Sequence, residues 1–167
     1  MKKAYDSVGW SSLERALTRI KMNKKYIAIM RDLHLNRKSS VITAHGPTSP
    51  HHVQDGLDQG ETHAPILWRI FYDTLLCAVG KLTATTGYHM QQVPNTPSPG
   101  INHLAFVDDT AWIANSKSSI TRILTTADSF FKTNDIEINK QKTVCILGKG
   151  KKNRPNGDVI SPEDSTI

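Results

Sequence analysis

The stretch "INHLAFVDDTAWIA", residues 101–114, sets two adjacent acids, Asp108 and Asp109, inside a run that is otherwise largely apolar. Apolar segments on both sides of a short polar step predict a β-hairpin with the acids near its tip. Phe106 and Val107 before them, and Ala111, Trp112 and Ile113 after them, predict a buried hairpin rather than an exposed loop. Asp-Asp is common in turns, because Asp bonds its own backbone and tolerates unusual dihedrals. A buried carboxylate, though, is costly unless something pairs with it. Acids in this setting point to a metal, and two ions about 3.5–4 Å apart would serve in-line phosphoryl transfer. Mg²⁺ fits, since it takes hard oxygen ligands and shares its remaining positions with substrate phosphates.

Outward from the hairpin, the pattern alternates helices and short strands. Ser11 or Ser12 is placed to cap a helix with Leu13, Ala16, Leu17 and Ile20 on one face. A second helix is expected from Lys24 to about His34, with Tyr26, Ile27, Met30 and Leu33 inward. "SVITAHGPTSPHHVQDG" (40–56) reads as a short strand, a Gly/Pro turn and a second strand around Val53. Thr62 is a cap candidate, with Pro65 in the first turn of the most apolar helix, whose inward set is Leu67, Ile70, Phe71, Leu75, Ala78, Val79 and Leu82. After a Pro-rich loop (91–100) and the hairpin, Ser118 or Ser119 caps a helix with Ile120, Ile123, Leu124, Ala127, Phe130 and Phe131 on one face. "IEINKQKTVCIL" (136–147) predicts two short strands around a polar turn. Together these give an α+β fold, an antiparallel sheet with helices packed on one face. Residues 1–148 form the domain, and 149–167 a polar, disordered tail.

The chain has 167 residues, enough for one domain with a real core. Lys and Arg number 21 against 15 acids, for a net charge of +6, which suits a polyanionic partner. The basic side chains of 15–38, among them Arg15, Arg19, Lys21, Lys24, Lys25 and Arg31, line the outer faces of the first two helices. Only Cys77 and Cys145 are present and they form no CxxC pair, so a reduced intracellular setting, cytoplasm or nucleus, is expected. "MKKAYDSVGW" has no apolar core of a signal peptide, and no stretch approaches the ~18 apolar residues of a membrane span, so no membrane partner is expected.

Four segments share their order with a known family. "KKAYDSVGW", "GLDQGETHAPILWRIFYD", "LAFVDD" and "INKQKT" resemble the first to fourth palm motifs of the reverse transcriptase domain of non-LTR (LINE-like) retrotransposons. The resemblance runs over nearly all of residues 2–148 and implies a polymerase palm lacking fingers and thumb. It implies an RNA-directed DNA polymerase that transfers a nucleotide from a dNTP to a primer 3′-OH, with an RNA template, a DNA primer and two Mg²⁺ ions. Asp108 and Asp109 match the metal-binding pair. Tyr5 matches the aromatic beneath the incoming sugar, which selects deoxynucleotides. Lys3 and Ala4 match the backbone donors to the triphosphate, and Gln59 and Gly60 the pair that packs against nucleotide and template. Lys142 matches the lysine that protonates departing pyrophosphate.

The departures matter too. The family's catalytic first-motif Asp precedes "KKAYD" by two residues, a position immediately before Met1. Two of three carboxylates therefore lie within the chain, and the isolated chain is expected to be inactive. Ala64 stands where Ser is usual, and His63, His51 and His52 replace small, apolar or aromatic residues. A non-enzymatic basic nucleic-acid-binding module, using the 15–38 face and the 140–154 cluster, is the alternative; its binding would fall steeply with salt. Oligomeric state is not legible.

Overall fold

The structure, a computed structural model, describes residues 1, 4–53, 56–58, 60–89 and 100–148, together with the backbone of Asp158–Ile160. Helix α1 (Trp10–Arg19) starts where Gly9, extended at φ −71° and ψ 142°, offers its carbonyl to the N–H groups of Ser12 and Leu13. The expected caps, Ser11 and Ser12, fall inside the helix instead, because Trp10 is itself a buried core residue and draws the start upstream. At the other end the Lys21 N–H bonds the Thr18 carbonyl and the Met22 N–H bonds that of Leu17, with Lys21 at φ 58°. This is a Schellman ending, and it leaves Ile20 exposed at the C-cap rather than on the apolar face.

Helix α2 (Lys24–Leu35) is capped by the Asn23 side chain, which accepts from the Lys25 N–H at 2.9 Å. Ile27, Met30 and His34 are its buried residues; Tyr26 and Leu33, expected inward, are exposed. The His34 ring packs 5.5 Å from that of Trp10, so the stripe facing α1 runs through 27, 30 and 34. Burial and the nearby Arg37 charge hold the His34 pKa below its ordinary value, which keeps the ring neutral at pH 7.

Strands β1 (Lys38–Ser39) and β4 (His51–His52) pair around the inner pair β2 (Ile42–Thr43) and β3 (Gly46–Pro47), two nested antiparallel ladders with almost every side chain exposed. The outer strand lies just before Val53, where it was expected. Helix α3 (Ala64–Gly80) has His63, not Thr62, as N-cap, and Pro65 sits in the first turn where a missing N–H is harmless. Its apolar surface is wide enough to bury Ala64, Leu67, Trp68, Phe71, Tyr72, Leu75 and Val79, whereas Ala78 is exposed.

A short α4 (Thr83–Thr86) leads to β5 (Tyr88–His89), paired with β6 (Gly100–Ile101). The hairpin β7 (His103–Phe106) and β8 (Asp109–Trp112) forms where the sequence placed it. Helix α5 (Lys117–Thr133) is capped by Ser116, whose hydroxyl accepts from the Ser119 N–H at 3.2 Å; the expected caps Ser118 and Ser119 lie within it. Ile136 then turns into the core, and residues 140–142 form a 3-10 turn, so the first of two expected strands in 136–147 does not form. The second is β9 (Cys145–Leu147), paired with β10 (Asp158–Ile160). The rest of the expected tail, 149–167, lies outside the described residues.

The fold is thus α+β. Among the described residues, however, the strands form five separate two-stranded antiparallel ladders instead of one continuous sheet. The core lies between α1, α3 and α5, where Val8, Leu13, Leu17, Leu57, Leu67, Phe71 and Ile123 are almost fully buried. No helix among the described residues is long and apolar enough to cross a membrane.

Candidate nucleotide and metal site

Register fixes the acid turn. Phe106 pairs with Asp109, Ala105 with Thr110, Leu104 with Ala111 and His103 with Trp112, so Val107 and Asp108 are the two turn residues. Val107 has φ 56°, a conformation that two-residue hairpin turns normally give to Gly, Asn or Asp. For a β-branched residue it is a strained conformation. Asp108 is half-buried and Asp109 exposed.

Helix α3 holds this turn. Trp68 Nε1 donates to the Val107 carbonyl at 2.9 Å, and the Tyr72 hydroxyl and Thr110 Oγ1 bond at 2.7 Å. Burial pushes the Tyr72 phenol up to about 12; the Asp108 charge adds to that, and the bond to Thr110 opposes it. Tyr72 therefore stays neutral throughout the physiological range. The rings stack in series, Tyr5 on Trp68 at 5.6 Å and Trp68 on Tyr72 at 5.3 Å.

The expectation of a buried hairpin is corrected by its outer face. Leu104, Phe106 and Val107 are 59%, 80% and 44% exposed. A two-stranded ladder has two faces, alternating along each strand. Here α3 and its neighbours cover the one bearing Thr110 and Trp112, and the Leu104–Phe106 face stays open.

The opposite wall comes from two distant segments. The 3-10 turn Tyr5–Ser7 receives the Leu57 N–H on the Tyr5 carbonyl at 2.9 Å, and Val8 receives the Gly56 N–H at 3.2 Å. A Cβ on Gly56 would meet Asp6 Cα at 2.9 Å, so only glycine permits this approach. Arg37 donates to the Gly56 carbonyl at 3.1 Å and pairs with Asp58 at 2.7 Å, anchoring the loop. Gly60 follows at φ 105°, with open space around it, so its glycine is needed for backbone conformation rather than clearance.

These segments border an open cavity of about 460 Å³ lined by Met1, Ala4, Tyr5, Gly60, Ala64, Pro65 and Asp108. Four residues singled out in the sequence, Ala4, Tyr5, Gly60 and Asp108, therefore line one cavity. Asp109 adjoins it on the exposed side of the turn, outside the lining set. Lys142 is exposed on the turn Lys140–Lys142 and does not line the cavity. Lys3 and Gln59 lie outside the described residues. His51 and His52 are exposed. The inward set read for α3 omitted Trp68 and Tyr72; their i, i+4 spacing, which puts two aromatics on one helix face, was the available signal.

The donor chemistry suits a hard divalent ion in part: Asp108 in the lining and Asp109 beside it carry carboxylate oxygens, and the lining has no thiol or imidazole. Among the described residues no group of three or more His, Cys, Asp or Glu is placed to hold a metal.

The profile described as reverse transcriptase (RNA-dependent DNA polymerase) matches residues 1–161, and the chain belongs to that family. Two curated relatives are both described as a retrovirus-related Pol polyprotein from type-1 retrotransposable element R2 of Popillia japonica. One is 22% identical over 146 residues and the other 27% over 152; each alignment takes in 87% of this chain. The chain spans 23% and 20% of their lengths, about a fifth. The chain is thus a reverse transcriptase domain by family, and the two curated relatives it resembles come from a type-1 retrotransposable element.

Proposed function

We propose that residues 1–148 are a polymerase palm and that the cavity is the nucleotide site of RNA-directed DNA synthesis. The observation that carries this reading is the convergence of Ala4, Tyr5, Gly60 and Asp108, from three separate sequence motifs, on one cavity. The Tyr5 ring would lie under the sugar, and the Ala4 backbone would face the triphosphate. Gly60 would let nucleotide and template approach the main chain. Asp108 and Asp109 would hold Mg²⁺, which when bound would offset the charge that develops during attack of the primer 3′-OH on the α-phosphate. Lys142 is proposed as the proton donor to pyrophosphate. The third carboxylate of the set belongs, by family pattern, to the position immediately before Met1.

The test compares this chain with a version extended upstream by an apolar strand ending in Asp at that position. Each is given Mg²⁺, a DNA primer on an RNA template, and dNTPs. Extension is expected from the longer protein, little or none from the 167-residue chain, and a loss of at least about 100-fold in the longer protein on Asp108→Asn. No extension by the longer protein, or full activity of its Asp108→Asn variant, overturns the reading. Binding to the same primer–template that is steeply salt-dependent, with no extension by either protein and indifference to Asp108→Asn, would favour the basic binding module. That alternative draws on exposed Arg15, Lys21, Lys24, Lys25 and Arg31 of the α1–α2 surface.

A further inference from the structure

Two hydrogen bonds from α3 bracket the acid pair. Trp68 reaches the carbonyl of Val107, the residue before Asp108, and Tyr72 reaches the hydroxyl of Thr110, the residue after Asp109. Neither bond touches a carboxylate, so both act on the path of the chain. That path is strained at Val107, where a β-branched residue sits at φ 56°. Such a conformation persists only where the surroundings over-determine it. The same Trp68 ring stacks on Tyr5, and both Tyr5 and Asp108 line the cavity. One indole therefore touches the aromatic wall of the cavity on its face and the acid-bearing turn through its N–H.

We propose that Trp68, assisted by Tyr72, is a positioning residue that holds the strained Val107–Asp108 turn and so keeps the Asp108 carboxylate in the cavity wall. The proposal rests on reading the cavity as a nucleotide site, and it adds a coupling: a base or sugar pressed on Tyr5 bears on the ring that sets the turn. A general packing role would spread the effect of losing the N–H over the core. A positioning role confines it to the turn and to ligands that need Asp108.

Trp68→Phe keeps an aromatic ring and removes the donor, and Tyr72→Phe keeps the stack and removes the hydroxyl. The strain supplies a rescue, because Val107→Gly lets the turn adopt its φ without restraint. Amide hydrogen exchange at residues 107–110 is measured in the ligand-free protein, alongside dATP affinity in the presence of Mn²⁺. Trp68→Phe is expected to speed exchange in the turn and weaken Mn²⁺-dependent dATP binding, each by about five- to tenfold, the usual worth of one neutral hydrogen bond. Exchange within α5 should be unchanged, and Val107→Gly in the Trp68→Phe background should restore both readouts. Unchanged turn exchange in Trp68→Phe, or no rescue by Val107→Gly, overturns the proposal. If Trp68→Phe does not fold, Tyr72→Phe carries the same test. Absent dATP binding in the unsubstituted protein would defeat the nucleotide reading, and the exchange arms would still decide the positioning role.

Discussion

Helix α3 buries seven side chains, while the hairpin it grips leaves Phe106 80% exposed. Both segments are rich in apolar residues, and they touch each other, yet they are held in different ways. The helix packs against both α1 and α5, which together with the rest of the core bury one broad face of it. The hairpin is covered on one face only, and its turn is fixed by two polar bonds rather than by packing. Buried apolar contact sets where the frame is. Directional hydrogen bonds set where the acids are. The difference separates stability, which α3 carries, from placement of the acid pair, which the hairpin carries.

Three measurements test that separation. The largest effect belongs to Phe71→Ala. Its ring is buried against Trp68 and Phe130, at centroid distances of 5.7 and 5.3 Å, and truncation should cost about 3–5 kcal/mol in urea unfolding. A loss below ~1 kcal/mol would show that α3 is not the frame.

Tyr72, at the junction of the two regions, gives an intermediate effect. Its folded-state pKa of about 12 exceeds the ordinary value of 10, so the unfolded chain releases this proton first. Stability from this group is therefore complete below pH 10 and is lost as pH rises toward 12, by on the order of 2–3 kcal/mol. Tyr72→Phe should flatten that part of the alkaline unfolding profile, and an unchanged profile would break the assignment.

The smallest effect on stability is expected from Phe106→Ser, within about 0.5 kcal/mol, because the side chain is already in water. Its consequence should appear in sedimentation instead. An open apolar face on a hairpin whose edge has no strand partner among the described residues favours self-association, and the serine variant should associate less. A destabilisation approaching that of Phe71→Ala would erase the contrast between the two regions.

The sequence disclosed most where one period dominates. The α3 pattern, the hairpin around Asp108 and Asp109, and the positions of α2 and α5 were legible, since apolar spacing alone places them. Helix starts were not. Gly9 rather than Ser11 or Ser12 begins α1, because the burial of Trp10 is a tertiary fact. The outward face of the hairpin was hidden for the same reason: apolar residues on both sides of a turn do not reveal that only one face gains a partner. At the cavity, Ala4, Tyr5, Gly60 and Asp108 were all named from motifs. Trp68 and Tyr72, which bond the acid-bearing hairpin, were absent from the inward set read for α3. Their bonds go to a carbonyl and a hydroxyl of a hairpin 38 or 39 residues further along the chain.

The close pass of Gly56 over Asp6 also gives the site a place in time. Its two backbone bonds, Leu57 to Tyr5 and Gly56 to Val8, splice segments about fifty residues apart, and closing so long a loop is entropically slow compared with forming a helix. Helices α1 and α2 lie entirely within the spliced span and form from local contacts. The cavity wall is therefore expected to assemble after them: in stopped-flow refolding, helical circular dichroism should recover before the Tyr5–Trp68 stack restores its native fluorescence. Simultaneous recovery would show that the splice forms with the helices.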